Sequence, residues 1–456
     1  MYLYNLYFHP LRNFPGPAFA AASYMPWLYH RVNGSSRHWH VELHDQYGSV
    51  VLTGPTFLSF TEPQAWKDIY SHRTATHQTN AKDWRFYGPP RNVGEYSINN
   101  IPTDEHHGKV RRIFASAFSD RALRLQEPLI CRHVDKLIYN VREIISNRST
   151  ARIDMVQMYN FMTFDIMSNL AFGQTTGMID SGEPSPWLKI VYGYVKATNL
   201  LVAIRFYHIF RPLSGLFISR QDVVAQRRHF ENTTNLLNDR LAQGREEPDI
   251  WNLVEARNAM FLTNGEIHAN AAVFMSAGTE TTATQLSGIT YLLLSHPEKL
   301  HKLVYEVRSF PHVEGLSLAR IAQLPYLNAC LQEGLRLYPP IAEGLPRWIA
   351  HNSGTVLGHH LAPGTSVYVS PYATNRSPAN FEDPNTFSPE RWLPESRYDS
   401  DRRDALQPFS TGPRNCLGIN LAYHEMRLAL ARVLYSFDLE LEDHAEDWIA
   451  AQKTYV

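Results

Sequence analysis

The sequence predicts a mainly α-helical fold with a few short β-strands. Apolar residues recur at helical spacing along most of the chain, and one such segment runs from Asn264 to Leu294. Runs with strand-like composition are only about four residues long and lie beside turns that contain Gly and Pro. The chain has 456 residues, of which 44% are hydrophobic, so it can form a large buried core.

The predicted strands lie near the start of the chain and again late in it. Val50–Thr53 and Phe57–Phe60 are separated by a Gly-Pro-Thr turn, which predicts a hairpin. Thr355–Leu357 and Ser366–Val369 are predicted as further short strands on either side of a Pro-Gly pair.

Helical periodicity accounts for most of the remaining sequence. The longest segment begins with a capping box, Thr263 with Glu266, and spans about 46 Å at 1.5 Å per residue. The predicted helices are Gln64–Tyr70, Lys109–Phe118, Pro128–Ser146, Val156–Ala171, Gln221–Glu246, Asn264–Leu294, Glu298–Arg308, the segment between Pro325 and Pro339, and Leu417–Ser436.

No linker, repeat or low-complexity stretch divides the chain, so one large domain is expected. Lysine and arginine total 43 against 44 acidic residues, and this balance argues against a nucleic-acid partner. The cysteines, Cys131, Cys330 and Cys416, are too few for a disulfide framework and indicate an intracellular setting.

The most informative segment is Phe409–Gly418, in which one cysteine precedes a predicted helix. Gly412 allows a tight turn before the cysteine. Cys416 then lies at the N-terminal end of that helix, where unpaired N–H groups and the helix dipole stabilise a negatively charged sulfur. This arrangement presents one thiolate to a haem iron, and thiolate ligation favours cleavage of the O–O bond.

Two more residues of the segment suit a haem. Gly418 leaves room for a flat macrocycle, and Arg414 can donate to a haem propionate. The alternative is an inert free cysteine near a helix cap. Against that alternative, the spacing of five residues resembles the haem-binding loop of the cytochrome P-450 family; they are Phe409, Gly412, Arg414, Cys416 and Gly418.

A second motif lies in the predicted helix that precedes Pro339. Glu333 and Arg336 are three residues apart and share a helix face; alone, they would be an ordinary surface ion pair. The segment Pro389–Trp392 follows at the spacing seen in the family. The resemblance implies that Glu333, Arg336 and Arg391 form a buried network with a structural role, holding the loop that carries the cysteine.

The middle of the longest helix contains Ala277–Thr282, in which a glycine and several threonines are poor helix formers. One interpretation is a small-residue patch where another helix crosses closely. The segment also resembles the oxygen-binding groove of the family. That resemblance implies that Thr281 donates a hydrogen bond to bound dioxygen and that Glu280 relays protons.

Three further residues are candidates for binding the haem propionates. His107 and Arg111 are four residues apart on a predicted helix, where a solvated basic face is the alternative. Arg347 is a candidate by resemblance alone.

The resemblance extends over nearly the whole chain and implies the cytochrome P-450 fold, a helical prism with small mixed β-sheets. It implies that residues 1–17 are a remnant N-terminal anchor with a Pro-rich hinge and that residues 18–456 are one catalytic domain. A hairpin is expected to begin within Trp448–Val456, in a truncated C-terminal strand region. Met1–Phe8 is shorter than the roughly 20 apolar residues that span a bilayer, so a full transmembrane anchor is not expected. Family resemblance nevertheless implies the cytosolic face of the endoplasmic reticulum membrane.

The resemblance implies a haem-thiolate monooxygenase that contains haem b and uses O2 to hydroxylate or epoxidise a lipophilic secondary metabolite. No dinucleotide or flavin fingerprint is visible, so electrons from NADPH are expected to arrive through NADPH-cytochrome P-450 reductase. The reductase is predicted to dock on a basic rim of this chain, called here the docking rim, that consists of Lys109, Arg112 and Arg427. The alternatives are a haem-thiolate isomerase or dehydratase, and a non-catalytic haem-binding paralogue.

Finer resemblance concerns the substrate class. Segments such as Ala65–Tyr70 and Ala117–Asp120 resemble the fungal secondary-metabolism group that includes isotrichodermin C-15 hydroxylase. Members of that group oxidise terpenoid, polyketide and related scaffolds. By the same resemblance, the expected pocket walls are Trp84–Asn100, Trp187–Phe217, Ala271–Ala277 and Ile341–Leu345.

Overall fold

The structure of the protein is a computed structural model. It describes residues 2–72, 79–90, 94–147, 152–188, 190–191, 201–202, 204–207, 220–243, 247–255, 261–349, 354–394, 396–442 and 447–454.

The chain is predominantly helical, which confirms the predicted fold class. In the first half, the α-helices of the described ranges are Tyr2–Tyr7, Ala18–Ala22, Met25–Asn33, Ser36–Tyr47, Pro63–Tyr70, Trp84–Tyr87, Asp104–Ala115, Asp120–Asn147, Met155–Phe172, Met178–Ser181 and Arg220–Gln243. They continue with Ile250–Glu255, Asn264–Leu294, Pro297–Val307, Leu318–Ile321, Pro325–Leu337, Pro371–Thr374, Ile419–Ser436 and Trp448–Ala451. Short 3-10 turns occupy Ser116–Phe118, Val313–Gly315, Pro389–Trp392, Arg403–Ala405 and Gly412–Arg414.

The strands form a small mixed sheet and a separate hairpin. In chain order they are β1 (Val50–Gly54), β2 (Phe57–Phe60), β3 (Ala81–Lys82), β4 (Arg347–Trp348), β5 (Gly354–Val356), β6 (His359–Leu361) and β7 (Ser366–Val369). The order in the sheet is β1-β2-β7-β4-β3, in which β2 and β7 are parallel and the other neighbours antiparallel. β5 and β6 pair with each other.

Two predicted helix starts are wrong. The helix expected from Lys109 begins at Asp104, because Asp104 and Glu105 place carboxylates at the positive end of the helix dipole. The helix expected from Pro128 begins at Asp120 and continues through the proline. Its buried apolar face outweighs the single hydrogen bond that the proline removes.

The strand predictions are right for the first hairpin and incomplete elsewhere. The predicted strand Thr355–Leu357 is shifted by one residue, because Leu357 has a positive φ of 50° and turns the chain into β6. The strands β3, β4 and β6 were not predicted, because they are two or three residues long and therefore too short for an alternating pattern.

The helix Asn264–Leu294, called here the central helix, has its predicted bounds. Thr263 Oγ1 accepts a hydrogen bond from Glu266 N at 3.1 Å, and the Glu266 carboxylate accepts one from Thr263 N at 3.0 Å, which completes the predicted capping box. The helix packs most extensively on Met155–Phe172 within the largest apolar cluster. It therefore crosses the interior of the protein.

The segment after Asp447 lies against helices from the first part of the chain. The Arg37 guanidinium is fully buried and donates to the Gln452 side chain and to Ile449 O. Trp448 stacks on Tyr338 with 5.2 Å between ring centroids. A strand was expected to begin here; the structure has the helical turn Trp448–Ala451 instead, because the Asp447 carboxylate caps it by accepting from Ala450 N.

None of the helices in the described ranges combines the length and the apolar composition that crossing a bilayer requires. The helix Tyr2–Tyr7 lies against the next helix, where Asn5 Nδ2 donates to Ala22 O at 2.8 Å. The hinge residues also pack on the body of the protein, since Leu11 is buried and Leu52 N donates to Pro15 O at 2.7 Å.

One buried carboxyl group predicts a pH dependence of stability. Burial raises the pKa of Glu425 to about 8, so the folded protein retains this proton at pH values where the unfolded chain has lost it. Stability should therefore fall by about 1.4 kcal/mol per pH unit as pH rises from the unfolded pKa toward the folded one. Thermal unfolding of Glu425→Gln should show a smaller loss than wild type between pH 5 and pH 8. Parallel wild-type and variant curves would contradict this.

Candidate active site

The segment Phe409–Gly418, called here the cysteine loop, is held by its own backbone. Cys416 N donates to Phe409 O at 2.9 Å, which closes the loop just before the last long helix. That helix begins at Ile419, two residues later than predicted, because Gly418 has non-helical backbone angles. The Phe409 ring packs on Tyr423 of the same helix with 5.1 Å between centroids. The loop therefore delivers Cys416 to a fixed position before the helix N-terminus.

Gly412 determines how closely the cysteine loop approaches the rest of the protein. Its φ is +76°, in the region that favours glycine. A Cβ atom at this position would lie 1.8 Å from Tyr70 O, at the end of the helix Pro63–Tyr70. The same tyrosine donates from its hydroxyl to Leu345 O at 3.0 Å. Tyr70 thus connects the cysteine loop to the strand region that carries Arg347.

Solvent can reach the Cys416 side chain, although many protein atoms lie around it. This combination is expected for a thiol at the floor of a recess. Burial raises the pKa of this thiol, while the Gly418 N–H and the Arg111 guanidinium act in the opposite direction. The structure places Gly418 beside open space, since an added Cβ would meet only the Phe118 ring, at 3.9 Å. An accessible sulfur with room above it is what a planar metal cofactor requires.

Cationic side chains converge beside this recess. Lys82 and Arg347 are direct partners across β3 and β4, and like charges in such a position destabilise a sheet. Burial, followed by Arg347 and Arg414, holds the pKa of Lys82 well below its usual value. Arg347 is 2% exposed, and its Nη1 atom has no hydrogen-bond partner among the described residues. The unpartnered Arg347 nitrogen beside a second cation makes this cluster a suitable place for an anionic group.

Arg414 and His107 belong to the same cluster. Arg414 Nη1 donates to Ile101 O at 2.7 Å, and its Nη2 lies 2.9 Å from the Asp104 carboxylate. The pKa of His107 is lowered to about 3 by burial and then by Arg414, Lys82 and Arg111. A neutral imidazole in this position can donate one hydrogen bond to an anion without adding charge.

Arg111 lies beside the cysteine itself. Its Nη1 donates to Asn415 O at 2.7 Å and its Nη2 to Asn415 Oδ1 at 2.6 Å. The structure therefore places Arg111 on the residue before Cys416, whereas its propionate role stays a prediction. Asn415 was not singled out from the sequence, because nothing local distinguishes it from any other loop asparagine.

The central helix has an open face in its middle. Ala277 is exposed and Thr281, one turn later, is partly exposed, whereas Thr279 and Thr282 between and after them are buried. Thr281 Oγ1 donates to Ala277 O at 2.7 Å. Burial raises the pKa of Glu280, and within the described ranges this carboxyl makes no hydrogen bond or ion pair. The helix continues through this region without a break.

The structure brings Glu333, Arg336 and Arg391 together, and all three side chains are 0% exposed. Arg336 Nε and Nη2 donate to the two Glu333 oxygens at 2.8 and 2.7 Å. Arg391 Nε donates to Glu333 Oε1 at 3.1 Å. Arg336 also donates to Asn375 O and Thr386 O, at 2.8 and 3.0 Å. The network therefore anchors the chain segment that leads toward the cysteine loop.

Two members of the network were not predicted. Trp392 Nε1 donates to Glu333 Oε2 at 2.9 Å, and Asp401 forms a buried ion pair with Arg391. Although burial raises the pKa of Glu333, the net shift is downward because Arg336 and Arg391 stabilise the carboxylate. Trp392 follows Arg391 directly in the predicted motif, whereas Asp401 carries no local signal.

The predicted pocket walls are only partly described. Much of Trp187–Phe217 lies outside the described residues. Trp187 itself is buried in the core, where it contacts Phe164 and donates to His229 Nδ1 at 2.8 Å, and its place in a pocket wall stays a prediction. Glu343, within the predicted wall Ile341–Leu345, forms a buried ion pair with Arg31.

Taken together, these residues fit a haem. The accessible Cys416 sulfur would supply one metal ligand, and the neighbouring cationic side chains would supply partners for two carboxylates. Gly418 leaves space for a flat ring beside the cysteine. The chain is also similar in sequence to proteins that carry such a site.

A family model described as cytochrome P-450 matches residues 15–454. The monooxygenase FUM2 of Gibberella moniliformis is 42% identical over 459 residues, covering 100% of this chain and 97% of the relative. The monooxygenase efuB of Hormonema carpetanum is 42% identical over 453 residues, covering 98% and 89%. The monooxygenase AMT3 of Alternaria alternata is 40% identical over 460 residues, covering 98% and 92%. All three relatives are named cytochrome P-450 monooxygenases.

Proposed function

The chain belongs to the cytochrome P-450 family of oxygen-incorporating oxidoreductases, and from that membership we propose that it hydroxylates or epoxidises a lipophilic secondary metabolite. The three relatives support a role in secondary metabolism, and a terpenoid or polyketide scaffold is the proposed substrate type. The observation that carries the proposal is the accessible Cys416 thiol in its enclosed recess.

Haem b is the proposed cofactor, and when bound it supplies the activation of dioxygen. Cys416 holds its iron. The proposed propionate partners are His107, Arg111, Arg347 and Arg414, and Lys82, which lies opposite Arg347 in the sheet, is a further candidate. Arg111, through its two hydrogen bonds to Asn415, fixes the backbone that carries the sulfur.

Proton delivery is the proposed task of the open face of the central helix. The raised pKa of Glu280 means that this carboxyl holds a proton more tightly than an exposed one does. Thr281 follows it in sequence and presents a hydroxyl group that both donates and accepts. The two groups together suit a relay from solvent toward the recess above Cys416.

A redox partner is implied by family membership, and NADPH-cytochrome P-450 reductase is the proposed one. Of the predicted docking rim, Arg112 is exposed and Lys109 is exposed beside Glu105. Arg427 is engaged internally, since its Nε donates to Asn328 Oδ1 at 2.7 Å. The rim therefore depends on Lys109 and Arg112. The cytosolic face of the endoplasmic reticulum membrane is the proposed location, with residues 18–456 as the catalytic domain.

Replacing Cys416 with alanine should eliminate the spectroscopic signature of thiolate ligation. The reduced, carbon monoxide-bound wild type is expected to show the strongly red-shifted Soret band, because the sulfur is the only predicted iron ligand from the protein. The matched control is Cys131→Ala, which removes a free cysteine whose sulfur lies 3.6 Å from Arg432 Nη2, and which should keep the band. A wild-type spectrum typical of histidine ligation would contradict the proposal.

Replacing Thr281 with alanine should leave haem binding intact and lower the yield of product per NADPH consumed. The expected loss in coupled turnover is about 100-fold, the lower end of the range for a positioned proton donor. Thr279→Ala is the control, since Thr279 makes the same bond to a carbonyl one turn back, at 2.7 Å, on a buried face. Equal coupling in wild type and Thr281→Ala would favour the packing role, or a reaction without oxygen insertion.

A further inference from the structure

Residues 95–104 form an ordered, hydrogen-bonded segment, and its first part, residues 95–100, belongs to the expected pocket wall Trp84–Asn100. A tight turn forms its centre, in which Asn100 N and Ile101 N both donate to Ser97 O, at 3.0 and 3.1 Å. The Asn100 side chain accepts from Ser97 N at 2.8 Å. Ile101 is fully buried in the helical core. The turn therefore has one defined shape.

Asn270 of the central helix binds this turn directly. Its Oδ1 accepts from Ile98 N at 2.8 Å, and its Nδ2 donates to Glu266 O at 2.7 Å. The side chain is 0% exposed. The second bond orients the amide on its own helix, and the first fixes a backbone N–H that belongs to another part of the chain.

Two further contacts join the same segment to the start of the central helix. A Cβ atom on Gly265 would lie 2.4 Å from Glu95 Cγ, so the backbone approaches this side chain closely. His106 Nε2 lies 2.5 Å from the Glu266 carboxylate that also caps the helix. At the other side, Arg414 of the cysteine loop donates to Ile101 O. The turn is thus held between the central helix and the cysteine loop.

Helical geometry places Asn270 on the open face of the central helix. Ala277 and Thr281 follow it by 7 and 11 residues, or about two and three turns at 3.6 residues per turn. The turn at Ile98 therefore covers the first part of the face on which Ala277 is exposed. A bulky molecule above Ala277 that extends toward the start of the helix is therefore expected to meet this turn, about 10 Å away along the helix axis at 1.5 Å per residue.

We propose that Asn270 is a specificity-determining positioning residue, which fixes the turn at Ile98 and so sets the shape of the substrate recess. This inference rests on the proposed function. Asn270→Ala would leave the Ile98 N–H without its partner and allow the turn to move. The recess would then lose its selectivity for bulky molecules, while the cysteine loop would remain in place.

The test compares two azoles that bind haem iron through the same kind of nitrogen. Imidazole is too small to reach the turn, whereas clotrimazole carries a bulky triphenylmethyl group that must contact the walls of the recess. In Soret titrations, Asn270→Ala should weaken clotrimazole binding about tenfold and change imidazole binding less than about twofold. Ser287→Ala is the control, because among the described residues Ser287 makes its side-chain bond within the central helix, to Ala283 O at 2.7 Å. Unchanged clotrimazole binding, or equal weakening of both azoles, would overturn the proposal.

Hydrogen exchange provides a second readout that does not depend on activity. The Ile98 amide should be protected in the wild type and should exchange faster in Asn270→Ala but not in Ser287→Ala. A wild-type Ile98 amide that exchanges as fast as an unstructured segment would refute the inference even if the variant failed to fold. Failure of the proposed function would instead appear as a missing thiolate spectrum in the wild type.

Discussion

Replacing Glu333 with alanine is expected to abolish haem loading and soluble yield, and not merely to slow turnover. The change leaves the guanidiniums of Arg336 and Arg391 buried at 0% exposure without their shared carboxylate. Removing one partner of a buried ion pair typically costs about 3–5 kcal/mol. The Trp392 indole and the Ser388 N–H also lose an acceptor, since they donate to Glu333 at 2.9 Å each.

The control is Glu390→Ala in the neighbouring motif. The Glu390 side chain is 29% exposed and pairs with Lys302 at 2.7 Å and with Lys299 at 3.0 Å. Ion pairs near the surface contribute at most about 1 kcal/mol each, so this variant should lose less stability than Glu333→Ala and should fold and load haem. The measurements are the ratio of haem absorbance to protein and the thermal midpoint. A soluble, fully loaded Glu333→Ala protein would show that the network does not hold the site.

Gly412→Ala is expected to have an effect of similar size for a different reason. The new Cβ would lie 1.8 Å from Tyr70 O, a backbone atom that cannot move away as a flexible side chain can. The cysteine loop would have to shift and carry Cys416 out of position. We expect no thiolate Soret band in the reduced carbon monoxide complex.

Gly94→Ala separates the steric cause from the conformational one. Gly94 has the same φ, +76°, and a Cβ there would meet nothing within 4 Å. This variant bears only the cost of a left-handed backbone, about 1 kcal/mol, and should keep the spectrum. If both variants behave alike, contact with Tyr70 does not position the loop.

Much of the helical framework could be predicted because its signals are local. The central helix has both of its predicted ends, since Thr263 and Glu266 form a capping box within four residues and Pro297 stops the helix. The pairing of Glu333 with Arg336 could also be predicted, because the two residues lie one helical turn apart. Where a local signal misled, as at Pro128, packing with distant residues decided the outcome.

The parts of the candidate site that escaped prediction depend on pairing across long stretches of chain. Lys82 meets Arg347 only because two strands of two residues each lie side by side. Asn270 meets Ile98 across 172 positions. Neither strand is long enough for a periodic pattern, and a single asparagine in a helix carries no sign of its partner.

The contact between Arg37 and the segment after Asp447 has a consequence for the order of folding. The partners of this buried guanidinium are 412 and 415 positions away. During synthesis the helix Ser36–Tyr47 leaves the ribosome among the first, yet its charge cannot be satisfied until nearly the whole chain has followed. Closing a loop of this length also carries a large entropic cost, which grows with the logarithm of its length. The first helices should therefore reach their final packing among the last steps of folding, after the central helix and its neighbours have formed.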